Sequence, residues 1–227
     1  IGYALPSNEY FRSAASGNWN STSTWQMSTN SGGTWFSATS TPTDTSGVIT
    51  IQSPNTVNVS INVKANQLIV NSGGILSINA GIILTITDGS GDDLYLASGG
   101  TISGTGTLQT QGAGVLLDVR GSFNAALKVN SGITYSYNAT VAPAVYAGSF
   151  TVDANAVFAV VNTGYTVQVN GNIVNNGIIT SSGGGFFVIR STSVTNNDTI
   201  RGSNVYFDSV TSLSGTGAYT STNIAVR

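Results

Sequence analysis

Neither cysteine nor histidine occurs among the 227 residues. Without cysteine there is no disulfide framework, so rigidity has to come from ladders of backbone hydrogen bonds, and thiol usage says nothing of the redox compartment. Without either residue, Ser-His-Asp and Cys-His sites, histidine-bound zinc and most proton shuttles working near neutral pH are excluded. Charge is scarce as well: seven Lys and Arg against nine Asp and Glu make up 7% of the chain and leave a net charge of −2. The basic residues are scattered, which argues against nucleic acid, since phosphate binding needs clustered Lys and Arg. No stretch reaches the roughly 18 consecutive apolar residues that would span a bilayer. Ile1 is neither a Met start nor the head of a signal peptide, and reads as a processed or trimmed end.

What is abundant is neutral and polar. Ser, Thr and Asn together number 82, while hydrophobic residues reach 40%, so the disorder pattern of low hydrophobicity with high charge is not met. The apolar residues fall at every second position in short runs. Gln67 to Thr87 shows the unit: Leu68-Ile69-Val70 and Ile75-Leu76-Ser77-Ile78 flank Asn71-Ser72-Gly73-Gly74, and Ile82 to Ile86 follows Asn79-Ala80-Gly81. Period-two alternation turns one face inward, and Gly and Asn supply the turns. The unit returns at Leu127 to Tyr137, and more loosely at Phe150 to Val160 and Val167 to Thr180, while Ser103-Gly104-Thr105-Gly106 recurs as Ser214-Gly215-Thr216-Gly217. Repetition of strand and turn predicts an all-β solenoid in which each coil buries its apolar face against the next. Coils of ~20 to 25 residues would give roughly eight turns and a rod of ~40 Å. An antiparallel β-sandwich is the alternative.

The chain is expected to form one domain with a cap segment at 1–47 and the solenoid at 48–227. All three tryptophans, Trp19, Trp25 and Trp35, lie in the first segment, where a lid is needed to close the first coil. Stacking of sugar rings is their other reading, and the lid is favoured because aromatic burial is what a terminus lacks. Between Gly112 and Tyr146 the repeat is least regular, and a loop or bulge is expected to leave the coil there. Pro42, Pro54 and Pro143 stand in turn contexts.

Phe11-Arg12-Ser13-Ala14-Ala15-Ser16-Gly17-Asn18-Trp19-Asn20, followed by Thr24-Trp25, resembles the opening of many secreted Bacteroidetes surface proteins, in which an S-G-N-W and T-W phrase precedes V-N-S-G-G and S-G-T-G repeats. The resemblance implies a right-handed parallel β-helix, type IX export and a secreted or cell-surface location. Such proteins usually end in a sorting domain, and nothing after Leu213 reads as one, so the resemblance implies either its removal or a fragment of a longer chain. It also directs attention to the O-glycosylation phrase of Asp, then Ser or Thr, then an apolar residue: Asp198-Thr199-Ile200 and Asp208-Ser209-Val210 fit, placing candidate modification at Thr199 and Ser209.

Candidate chemistry is sparse. Asp88, Ser90, Asp92 and Asp93, in the stretch Asp88-Gly89-Ser90-Gly91-Asp92-Asp93, put oxygen donors between glycines and could wrap calcium. No closing Glu follows, and Asp-Gly is also an ordinary tight turn. Otherwise no cofactor is expected. Asp118 and Arg120 share a strand face, with Asp92, Asp93, Lys128 and Asp153 about one coil away; β-helical polysaccharide lyases use such parts, yet these are too few for a cleft and read better as solvated side chains. Thr85 with Thr87 and Thr105 with Thr107 form no continuous threonine array of the ice-binding kind. The expectation is therefore a non-catalytic structural or adhesive module, a stalk, adhesin repeat or filament subunit. Its partners would be other copies, neighbouring domains of a longer chain or surface glycans. A carbohydrate-binding module is the alternative, and a calcium-dependent polysaccharide lyase stands behind it.

Overall fold

The computed structural model describes residues 9–137, 143–161 and 164–226. The chain winds into a right-handed parallel β-helix of about eight turns, with three strands to a turn. Ile49–Ile51, Thr56–Val59 and Val63–Ala65 start the three faces; Leu68–Val70, Ile75–Ile78 and Ile83–Thr87 stack directly on them in the next turn. Beyond the cap every described pairing is parallel, so the facing antiparallel sheets of the sandwich alternative do not form. Turn length varies: the register partners Leu108 and Leu127 lie 19 residues apart, Leu68 and Leu94 26. Extra residues are absorbed at the corners, where the ladder imposes no pairing.

Alternation sets what fills the helix. On the third face Val63, Leu84, Leu108, Leu127, Phe150, Ile173, Val194 and Leu213 follow one another in register. From Leu84 to Val194 these side chains are fully or almost fully buried and belong to one continuous core. Each apolar residue so stacked removes ~1.5–3 kcal/mol worth of surface from water. At several polar inner positions a partner is inside too: the Thr110 and Thr134 hydroxyls lie 2.7 Å apart, and the Asn175 Nδ2 donates to Asn196 Oδ1 at 2.7 Å. Midway along the rod Phe123, Tyr146, Phe150 and Phe158 meet edge-on or tilted, at centroid distances from 4.8 to 6.3 Å.

The first residues do two jobs. Tyr10–Ser13 pairs antiparallel with Trp25–Ser28, which in turn pairs antiparallel with Phe36–Ser37, making a small meander. The same Tyr10–Ser13 and Gly17–Asn18 also pair parallel with Ile49–Ile51 and Thr56–Val59, so the cap is itself the first rung of the stack. Phe11, Trp19 and Trp25 are buried in the common core. Trp35 is only half-buried and lies outside the lid, beneath the Arg12 guanidinium at 4.3 Å. At the other end, inward positions of the last rung stay open: Leu213 is 55% exposed, Ile224 47% and Val226 78%.

The irregular stretch proves to be largely strand. Thr107–Val119 and Ala126–Tyr137 run on from one face to the next, with register shifts after Thr110 and Gly112 that supply the expected bulge. The part of that stretch from 138 to 142 lies outside the described residues, as does Ile1.

Candidate functional site

The outer side of the first face carries the densest chemistry. Thr50, Ile69, Tyr95, Asp118 and Tyr137 are register neighbours on successive turns, so their side chains form one outward column. Arg120, two residues after Asp118 and just past the strand end, folds back over this column. Its Nη2 and Nε donate to Asp118 Oδ2 at 2.5 Å and Oδ1 at 2.9 Å, and its guanidinium sits 5.0 Å from the Tyr95 ring centroid. Asp118 is thereby 1% exposed although it points outward. A charge-assisted fork of this kind holds the guanidinium plane fixed. The hydrogen bonds it donates to Asp118 push the Arg120 pKa up, which keeps the guanidinium charged and makes it a poorer proton donor. Tyr137 reaches across the intervening turn and donates its hydroxyl to Asp92; burial first, and that hydrogen bond second, raise its pKa.

The structure thus brings together Asp92, Asp118 and Arg120 of the sequence candidates, and adds Tyr95 and Tyr137, which sequence reasoning passed over. Lys128 and Asp153 are elsewhere, on the third face and its corner, in an ion pair of their own at 2.9 Å. The signal that could have found the tyrosines is register: Tyr95 and Asp118 become neighbours only once the 23-residue turn between them is known.

In the acidic loop Ser90, Asp92 and Asp93 are engaged by protein partners. Asp93 turns inward and is 0% exposed. Its Oδ1 accepts the Gly89 N–H at 2.7 Å and its Oδ2 the Leu116 N–H at 2.8 Å, so one carboxylate closes its own turn and ties it to the following coil. Asp92 is engaged by Tyr137, and Ser90 accepts from the Gln67 amide. Among the described residues no group of three or more acidic side chains is placed to hold a metal. The two bonds accepted by Asp93 make it a clamp between the loop and the next coil.

Comparison with protein families, with curated proteins and with solved structures finds no match. What the site can do rests on its own geometry.

Asp93 has a consequence that melting curves can read. Burial pushes its pKa from 3.8 to about 7, against the opposing pull of the Leu116 and Gly89 amides and with added repulsion from Asp88 and Asp92. The native state therefore holds a proton between those two values that the unfolded chain has already lost. The stabilisation is complete below the unfolded pKa and disappears as pH rises toward 7, a swing on the order of 4 kcal/mol. Relative to Asp93→Asn, the native protein should gain melting temperature as pH is lowered from 8 to 5, measured by calorimetry. An identical pH profile in the two proteins would rule out this role.

Of the two candidate modification sites, Ser209 is exposed, in a left-handed turn with φ of 68°, whereas Thr199 opens a strand paired on both sides and donates to Asp198 at 3.0 Å. Access favours Ser209.

Proposed function

We propose that this chain is a non-catalytic structural or adhesive module, a rigid solenoid stalk, adhesin repeat or filament subunit displayed outside the cell. One observation carries the reading: an unbroken buried column under an exterior of neutral hydroxyl and amide groups, in which the ion pairs Arg120 with Asp118, Lys128 with Asp153 and Arg190 with Asp208 satisfy each other. A solenoid of this kind gains length without new topology, and a surface of few charges changes little with salt or pH. The parts that a lyase would need as base and charge neutraliser are here locked to one another, which disfavours that alternative.

The open final rung supports association with a neighbour. Leu213, Ile224 and Val226 are exposed at inward-type positions, and Ala218–Val226 is the last described strand. Neighbouring parts of a longer chain or another copy would complete the stack. The test is twofold: sedimentation over a wide concentration range, with the Val226→Lys and Ile224→Lys double variant as control, and immunogold imaging of native cells. Concentration-dependent association that the double variant abolishes, with label on the cell surface, is the expected result. A strict monomer at every concentration, without fibres in electron micrographs, would remove self-assembly, and label confined to the cell interior would remove the surface module altogether.

A further inference from the structure

A groove of about 370 Å³ runs beside the Asp118–Arg120 fork, walled by Gln67, Ser90, Asp92, Tyr95 and Arg120 with Val48 and Ile69 as its apolar part. A second cavity of about 330 Å³ lies on the other side of the same arginine, along Gly99, Asn124 and Pro143. Arg120 is thus a partition between two hollows at one corner of the helix. We propose that this corner is a binding subsite for a neutral saccharide, independent of the scaffold role.

Three features point to that chemistry. Arg120 is preorganised: Nε and Nη2 are spent on Asp118, while Nη1 makes no hydrogen bond among the described residues, so its two N–H groups are presented in a fixed plane. Asp92, held by Tyr137, faces the same groove as a carboxylate acceptor. Adjacent sugar hydroxyls can donate to one and accept from the other, a complementarity that apolar ligands lack. The charge balance decides between polyol classes. Asp92 and Asp118 against Arg120 leave the corner with one net negative charge, which opposes phosphate, sulfate and uronate groups. An ammonium ligand finds the Tyr95 ring already covered by the guanidinium. The volume is at the small end for ligand sites and suits one or two sugar rings per hollow.

The test is an NMR titration of the intact chain with β-1,4-linked oligosaccharides of glucose, xylose and mannose, and with oligogalacturonate as the anionic counterpart. Saturable shifts centred on the Ser90 amide, Tyr95 and the Arg120 Nε–H are expected with at least one neutral series, and weaker ones with the uronate. Arg120→Lys keeps the charge but loses the planar fork, and should weaken binding at least tenfold at unchanged melting temperature. Asp118→Asn, which frees the guanidinium to swing, should do the same, marking Asp118 as a positioning residue. Absence of saturable shifts in every series, shifts centred away from this corner, tighter binding of the uronate, or full affinity in Arg120→Lys would each overturn the proposal. None of these outcomes bears on sedimentation or surface labelling, so the scaffold reading stands or falls separately.

Discussion

Trp19→Ala should lower the melting temperature by roughly 10–15 °C. Trp19 is 0% exposed, packs edge-on against Trp25 at a centroid distance of 5.2 Å, and donates its Nε1–H to the Pro42 carbonyl at 3.0 Å. Its own carbonyl accepts the Trp25 Nε1–H at 2.8 Å, so the two indoles and the 41–44 loop form one bonded unit. Truncation removes the ring, leaves a cavity that the bonded neighbours cannot collapse into, and orphans a carbonyl. A buried Trp→Ala costs ~3–5 kcal/mol, the lost hydrogen bond ~1 kcal/mol more, and a chain of this length loses ~2–4 °C per kcal/mol. Because the cap is also the first rung, the damage is not local: with the lid loosened, the edge beneath Ile49–Ile51 is exposed to pairing with other chains. Trp35→Ala is the internal control. Its half-exposed ring contacts Arg12 only across a cation–π distance of 4.3 Å, and its loss should cost about 1 kcal/mol or less. Calorimetry on both variants decides; equal melting temperatures would mean that the indole pair does not close the rod.

Gly171→Ala should be as damaging, for the opposite reason. Gly148 and Gly171 stand at the same corner of successive turns, and a Cβ on Gly171 would lie 1.8 Å from the Gly148 carbonyl oxygen. No side-chain rotation relieves a clash with backbone. The turns cannot part either, since Asn170 donates to the Tyr146 carbonyl at 2.9 Å and Phe150 to the Asn172 carbonyl at 2.8 Å on both sides of the contact. Overpacking against a fixed backbone should cost about 3 kcal/mol or more. Gly81→Ala makes the contrast: its φ is +73° but nothing lies within 4 Å of the added carbon, so only the left-handed backbone penalty of about 1–2 kcal/mol applies. Denaturant midpoints measure the difference, and hydrogen exchange should show the amides of Asn170 and Phe150 losing protection in Gly171→Ala. If Gly81→Ala proves the more destabilising of the pair, close stacking at this corner is not what holds the turns together.

Of the candidate site, the sequence showed half. Asp118 lies near the end of an alternating strand and Arg120 two residues on, just past it, so the spacing of two put both side chains on one side. Tyr95 and Tyr137 gave no such signal, because their nearness to Asp118 depends on turns of 23 and 19 residues whose lengths are set at corners. The acidic loop shows the reverse problem. Asp88, Ser90, Asp92 and Asp93 present the spacing of an oxygen-donor loop, and spacing is blind to direction: Asp93 points inward, where its carboxylate accepts from the Gly89 and Leu116 amides.

By itself the sequence determined the class of fold. Period-two alternation of Leu, Ile and Val, broken by Gly and Asn at short intervals, admits strands that bury one face and turn often, and a shortage of charge leaves a neutral exterior. Those are local properties, and local chemistry is enough to impose them. The tertiary structure alone decided which turn lies above which. Register is fixed when whole rungs stack and every inward side chain finds its neighbour, so the outer column of Tyr95, Asp118 and Tyr137, the inward turn of Asp93 and the glycine contact at Gly148 and Gly171 exist only as products of that stacking.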